Sequence, residues 1–220
     1  MKNVEICPSI LSANFFSLKE QIIGLEEEGA KILHFDVMDG HFVKKISFGT
    51  DFLKSIKSFC KMLVDVHLMV TNPLNFIEQF CEAGANSITF HIESEDYVLE
   101  CIEKIKSFNC KCAIAINPET DVEILNPYLE FVDMVVIMSV VPGLGGQEFI
   151  KPVFKKIETL RSKNKLISIQ VDGGVNLGNI NEVVLKGANL VVVGSEIFKA
   201  EDVKKMFKEL KKRLFAVRQF

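Results

Sequence analysis

The chain has 220 residues, 48% of them hydrophobic and 25% charged, which is enough apolar material for one large core and ordinary for a globular protein. A formal net charge of −3 and a pI near 5.9 supply no broad basic surface for nucleic acid or anionic membrane. The most apolar run, Phe131 to Val141, contains Asp133 and falls well short of the ~20 residues that a membrane span requires.

The cysteines, at positions 7, 60, 81, 101, 110 and 112, form no C-x-x-C pair and sit mostly inside apolar periodic segments. They read as reduced thiols packed as small hydrophobes, the state kept in a cytoplasm. Pro8, Ser9, Ser12 and Asn14 interrupt the N-terminal stretch, so it lacks the apolar run of a signal peptide. Residues 1–220 are expected to form a single domain.

Short apolar runs alternate with amphipathic stretches along the whole chain. The first predicted strand, Val4–Ser9, ends in Pro8-Ser9 and precedes a helix over Ser17–Glu28. The second, Lys31–Val37, carries His34 and Asp36 two residues apart. Alternate side chains of a strand share a face, so these two point the same way. Asp39-Gly40 marks the turn after them. A helix over Asp51–Phe59 leads to strand three, Met62–Met69, which ends Asp65-Val-His67-Leu-Met69. A helix over Pro73–Ala83, strand four at Ser87–His91 and a helix over Tyr97–Phe108 follow. Strand five is Lys111–Ile116, with a helix over Val122–Leu129 leading to strand six, Met134–Met138. After it come the loop Pro142-Gly-Leu-Gly-Gly-Gln147, a helix over Pro152–Arg161 and strand seven, Leu166–Val171, which leads into Asp172-Gly173-Gly174. A helix over Leu177–Leu185 precedes strand eight, Leu190–Val193, with Gly194-Ser195 at its end. The last helix is predicted over Glu201–Phe215.

Eight βα units imply a parallel sheet, and near-continuous apolar strands are those covered by helices. Gly29, Gly84 and Gly187 each close a helix before an Ala and a strand, at spacings near two and four copies of a unit of about 27 residues, the period of an eightfold repeat at this length. No G-x-G-x-x-G follows the first strand, which removes the main support for an open doubly wound sheet. The expected fold is therefore a (βα)8 TIM barrel, with its chemistry at the C-terminal ends of the strands.

Polar groups do gather there. His34, Asp36, His67 and Asp172 make a two-imidazole, two-carboxylate set from strands two, three and seven, suited to one divalent ion; Zn2+, Fe2+, Mn2+ and Co2+ all remain open. Asp36 and Asp172 come from strands three steps apart around an eight-stranded ring, so they can face each other across the mouth and bracket a substrate carbon. The glycines of 142–147, Gly173-Gly174 and Gly194-Ser195 with a short helix starting at Ser195 predict an anion cradle for a phosphorylated substrate. The 142–147 loop is also a candidate lid. Met38, Met69 and Met138 stand at strand ends either as core filler or as a water-poor wall beside the reacting carbons. His41 and His91 carry no assigned role.

Five separated runs, in order, carry a resemblance: Pro8-Ser-Ile-Leu-Ser-Ala-Asn-Phe15, His34-Phe-Asp-Val-Met-Asp-Gly-His-Phe-Val43, Asp65-Val-His-Leu-Met69, Val171-Asp-Gly-Gly-Val175 and Gly194-Ser195. The chain resembles the ribulose-phosphate 3-epimerase family over essentially its whole length. The resemblance implies a barrel that interconverts D-ribulose 5-phosphate and D-xylulose 5-phosphate in the pentose phosphate pathway, with one divalent metal ion per subunit and assembly into dimers or hexamers. It implies His34, Asp36, His67 and Asp172 as metal ligands and Asp36 and Asp172 as the two acid–base groups. It implies Ser9, His67, Gly143, Leu144, Gly145, Gly146, Asp172, Gly173, Gly174, Gly194 and Ser195 as substrate contacts. A related alternative is a 3-epimerase of a six-carbon ketose phosphate such as allulose 6-phosphate. The chain departs from the family pattern at Lys44-Lys45, where Pro-Asn is usual, and in the lid at Val141 and Leu144, where a polar residue and an aromatic are usual.

Overall fold

The computed structural model describes residues 4–94 and 97–217. Eight strands form one parallel sheet: β1 (Glu5–Pro8), β2 (Ile32–Met38), β3 (Leu63–Met69), β4 (Ser87–His91), β5 (Lys111–Ile116), β6 (Met134–Met138), β7 (Ser168–Asp172) and β8 (Leu190–Val193). Each strand from β2 to β7 pairs with the next in sequence, and β8 pairs with β1. The ring closes through one parallel bridge, Ser9 to His34, in place of a β1–β2 ladder. The helices are α1 (Leu18–Glu27), α2 (Thr50–Lys57), α3 (Ile77–Glu82), α4 (Val98–Ser107), α5 (Val153–Lys163), α6 (Ile180–Leu185), the short α7 (Ser195–Phe198) and α8 (Val203–Val217). The predicted barrel is the fold found.

One side of the strands packs against the helices. Leu33, Phe35, Val64, Val66, Ile88, Ile114, Ile137, Ile169 and Val191 share a single buried cluster with Ile22, Leu25, Leu53, Ile56, Ile157 and Leu160 of the helices. The alternate residues form the other face, which is divided. On β5 and β6, Ala113, Ala115, Met134, Val136 and Met138 make a separate apolar cluster. On β2, β3, β4 and β7 the alternate positions hold His34, Asp36, Asp65, His67, Thr89, His91 and Gln170, all buried. Burying so many polar groups is costly unless each finds a partner or a ligand, so this sector is the candidate functional site.

Several predicted boundaries move, for local reasons. The helix predicted over Val122–Leu129 is only a 3-10 turn, Val122–Leu125. Pro127 has no N–H to continue an α-helix and its ring crowds the preceding turn. Strand seven begins at Ser168 rather than Leu166, because the amides of Leu166 and Ile167 are taken by the Asn164 side chain and the carbonyl of Ile167 by Arg161. The helix expected from Leu177 starts at Ile180, since Asn176 and Asn179 exchange side-chain bonds with the local backbone. Pro73–Asn75 is a 3-10 turn ahead of α3. Gly29, Gly84 and Gly187 all take positive φ, 84°, 105° and 121°, as helix-terminating glycines do.

Candidate active site

The β2–β3 register sets His34 opposite Asp65 and Asp36 opposite His67, so two strands bring four ionisable side chains together. Asp172, the last residue of β7, reaches the same point. His34 Nε2, Asp36 Oδ1, His67 Nδ1 and Asp172 Oδ2 form a ring of alternating nitrogen and oxygen. Its edges measure 3.4 Å (His34–Asp36), 3.5 Å (Asp36–His67), 3.3 Å (His67–Asp172) and 3.6 Å (Asp172–His34). Each of the four residues offers one such atom, and the set lies within 4.8 Å of one another.

His34 Nε2 and His67 Nδ1 are fully buried and have no hydrogen-bond partner. Burial alone pushes both imidazoles toward the neutral form, but the carboxylates of Asp36 and Asp172 outweigh it and raise both pKa values, that of His34 well above the ordinary range. Burial likewise opposes ionisation of Asp36 and Asp172, yet the two histidines hold both carboxyls below their usual range. One buried and one largely buried carboxylate, facing two imidazole nitrogens without hydrogen bonds, form an incomplete set of partners. A cation at their centre fits it: neighbouring donors about 2.1 Å from one ion in a tetrahedral site stand roughly 3.4 Å apart, close to the edges found.

Three members of the ring, His34, Asp36 and His67, are held from behind. His34 Nδ1 lies 2.9 Å from Asp65 Oδ2. Ser87 Oγ at 2.6 Å and Gln170 Nε2 at 2.8 Å also donate to Asp65. A carboxylate accepts only, so His34 Nδ1 carries a proton, and it is Nε2 that would give up its own proton and turn a lone pair to a cation in the ring. Ser9 Oγ donates to Asp36 Oδ2 at 2.7 Å, leaving Oδ1 for the ring. His67 Nε2 is 2.9 Å from His91 Nε2, and His91 Nδ1 is 3.2 Å from Glu93 Oε2. Burial presses the His91 pKa down to about 4. Glu93 is lowered to about 2, its own burial being outweighed by His91, the Asn117 amide and the Thr120 hydroxyl. Asp65, His91 and Glu93 were assigned no role from the sequence. The available signals were that Asp65 precedes His67 by two, which puts both on one face, and that His91 and Glu93 repeat the same spacing at the end of a strand.

Above the ring opens a cavity lined by the ends of β1, β2, β3, β6, β7 and β8. Ser9, Asp36 and Asp172 reach it, as do residues 142–147, Gly173, Gly174, Gly194 and Ser195, so all but two of the expected ligand, acid–base and substrate-contact residues border one space. The two exceptions, His34 and His67, are fully buried and touch it through the aspartates. Met38, Met69 and Met138 line the same cavity and are buried. His41 lies exposed on the loop after β2, bonded to Asp39.

The loop after β6 is tied down. Gln147 Nε2 donates to the carbonyls of Val141 and Leu144 at 2.7 and 2.8 Å, while the Val141 and Leu144 side chains are exposed. A Cβ on Gly143 would stand 3.0 Å from Val43, so this loop packs on the hairpin that carries Lys44-Lys45, where Gly40 N bonds the Lys45 carbonyl. Gly174, at φ +65°, lets the backbone of Phe149 and Gln147 approach to where a Cβ would be at 2.7–2.9 Å. Ser139 Oγ donates to the carbonyls of Asp172 and Gly173. These contacts join the glycines of the β6 and β7 rims into one surface.

The sequence profile of the Ribulose-phosphate 3 epimerase family matches residues 5–198. The chain belongs to the ribulose-phosphate 3-epimerase family. As a member it is an isomerase, and the resemblance read from the five motifs stands. It is 41% identical over 219 residues to the ribulose-phosphate 3-epimerase of Buchnera aphidicola from Schizaphis graminum, covering 97% of this chain and 96% of that one. It is 40% identical to the enzyme of that name from Aquifex aeolicus over 94% and 95% of the two chains, and 38% identical to that of Escherichia coli K12 over 99% of each. Among solved structures, 3-hexulose-6-phosphate synthase from Salmonella typhimurium superposes with a TM-score of 0.74 at 15% identity, over 97% of this chain and 99% of that one. That likeness concerns the barrel alone. Among the described residues no helix is long and apolar enough to cross a membrane, and all six cysteines are free.

Proposed function

We propose that the protein interconverts D-ribulose 5-phosphate and D-xylulose 5-phosphate by moving the C3 proton between two faces of the sugar. The observation that carries this reading is the ring of four donor atoms, two of them orphaned imidazole nitrogens, at the floor of a cavity rimmed by glycine loops. The full-length relatives bear the name of that reaction.

Epimerisation next to a ketone needs one group to take a proton and another, on the opposite face, to return one. Asp36 and Asp172 fill these roles, arriving from β2 and β7 on either side of the cavity floor. Both are held ionised by the imidazoles between them, so whichever serves as base is ready to accept. Ser9 fixes the Asp36 carboxylate by its bond to Oδ2 and stands at the cavity wall beside the substrate. His34, Asp36, His67 and Asp172 would hold one divalent ion, Zn2+, Fe2+, Mn2+ or Co2+. Such an ion supplies positive charge where the ene-diolate develops negative charge. The amides of Gly145, Gly146, Gly174 and Ser195, with Gly143, Leu144, Gly173 and Gly194 shaping the backbone around them, cradle the phosphate. Met38, Met69 and Met138 keep water from the carbanionic carbon. The 142–147 loop acts as the lid.

The same reading includes a single domain, a cytoplasmic location with reduced thiols, and assembly into dimers or hexamers. The three relatives described above are named for the five-carbon reaction, which supports ribulose 5-phosphate over a six-carbon ketose phosphate. Metal content of the purified protein, with kcat/KM for five- and six-carbon ketose phosphates side by side, tests the reading. About one divalent ion per chain and a preference for ribulose 5-phosphate are expected. A protein without bound metal, or one that prefers the six-carbon sugar, would contradict it.

A further inference from the structure

The contacts behind His67 differ from those behind His34. His34 turns Nε2 to the ring and Nδ1 to Asp65; His67 turns Nδ1 to the ring and Nε2 to another imidazole, that of His91, at 2.9 Å. Two neutral imidazoles meeting nitrogen to nitrogen share one proton, so one must donate and the other accept. The choice is made one step further out. His91 Nδ1 faces Glu93 Oε2, and Glu93 is committed as an acceptor, since its Oε1 also takes the Asn117 amide at 2.7 Å and the Thr120 hydroxyl. His91 must then carry its proton on Nδ1, leaving Nε2 bare. His67 must carry its proton on Nε2, leaving Nδ1 bare toward Asp36 and Asp172. Phe42 packs on the His91 ring with centroids 4.8 Å apart, and the His67 and His91 planes lie within 16° of each other, so neither ring can turn without displacing its neighbour.

We propose that His91 and Glu93 are a positioning pair that fixes His67 as its Nε2–H tautomer and so presents the Nδ1 lone pair to the four-atom ring. Neither residue touches the cavity, and neither is a catalytic residue; both act through His67. The inference rests on the reading of His67 as a metal ligand. Groups that orient a ligating imidazole typically change metal affinity by about 10–100-fold when removed.

Two measurements test it. In the metal-free wild-type chain at about pH 9, long-range proton–nitrogen correlation spectra should show His67 protonated at Nε2 and bare at Nδ1. Finding the neutral ring with its proton on Nδ1 and Nε2 bare would overturn the proposal. In the second, Zn2+ affinity is measured by competition with a chromophoric chelator. His91→Phe, which removes the acceptor, should bind Zn2+ about 10–100-fold more weakly. His91→Gln, whose amide oxygen can still accept from His67, should recover most of the loss. Glu93→Gln, which keeps the shape and removes the charge, should fall between. Affinity in folded His91→Phe within about twofold of wild type would overturn the pair. Should that variant fail to fold, Glu93→Gln at wild-type affinity, or a wrong wild-type tautomer, would overturn it equally. Failure of the wild type itself to take up Zn2+ would defeat the metal reading, and the tautomer spectrum, recorded without metal, separates that outcome from failure of the pair.

Discussion

His34 and Asp65 stand opposite each other in the β2–β3 ladder with Nδ1 and Oδ2 2.9 Å apart, and Asp65 spends its remaining capacity on Ser87 and Gln170. A buried carboxylate with three donors aims one imidazole. Replacing it by alanine should weaken divalent-metal affinity by about 10–100-fold. It should also cost stability, because Ser87, Gln170 and His34 lose a buried acceptor at once. Titration with a competing chelator and thermal unfolding of the same sample measure both. Asp65→Asn, which keeps one acceptor oxygen, should lie between.

Removal of one carboxylate should separate proton removal from inversion. In Asp172→Asn, turnover should fall by about 10²–10⁴-fold or more, while Asp36 still exchanges the C3 proton of whichever epimer presents it to that face. Proton NMR in deuterated water on each sugar separately checks this. Loss of the C3 proton signal, as solvent deuterium replaces it, is expected from one epimer only.

The glycine contacts at the rim predict a binding defect without a defect in the ring. A Cβ at Gly174 would lie 2.7 Å from the Phe149 amide nitrogen, a backbone atom that cannot swing away. Gly174→Ala should displace the β6 loop and raise KM for the sugar phosphate by about tenfold or more, while metal content stays at the wild-type level. Weaker competitive inhibition by inorganic phosphate would accompany it.

Metal and protons compete for the same nitrogens, with a sign that can be worked out. The pKa values of His34 and His67 are raised in the metal-free fold by the two aspartates despite burial. A raised imidazole pKa stabilises the fold fully below the unfolded value, about 6.5, and this contribution is lost as pH climbs through the folded values. The chelated protein should therefore lose Tm over the range from about pH 6.5 upward. Metal uptake displaces those protons, so the Tm difference between loaded and chelated samples should widen with rising pH. Paired unfolding curves across about pH 6 to 9 measure it.

The barrel was legible because its signals are local: short near-continuous apolar runs, glycines at helix ends and a repeat near one eighth of the length. Its errors were local too. Pro127 ended a helix that the apolar pattern of Val122 and Leu125 favoured, and Asn164 with Arg161 withheld Leu166 and Ile167 from β7. The ring residues were legible because His34 with Asp36, and His67 with Met69, alternate at strand ends. The support behind them was not, since nothing in a linear reading says that Gln170 on β7 meets Asp65 on β3, or that His91 meets His67. Those pairs depend on barrel closure, and they turn a buried polar interior from a cost into an aiming device.

In the proposed reaction Asp36 and Asp172 share the C3 proton chemistry beside one divalent cation. Incubating ribulose 5-phosphate with the protein in deuterated water, with and without a chelator, tests it most directly. Deuterium entering C3 at the rate of epimer formation, and both processes failing together on chelation and returning with added metal, is the predicted result. Epimer formation without C3 exchange, or exchange that persists undiminished after the metal is removed, would contradict the account.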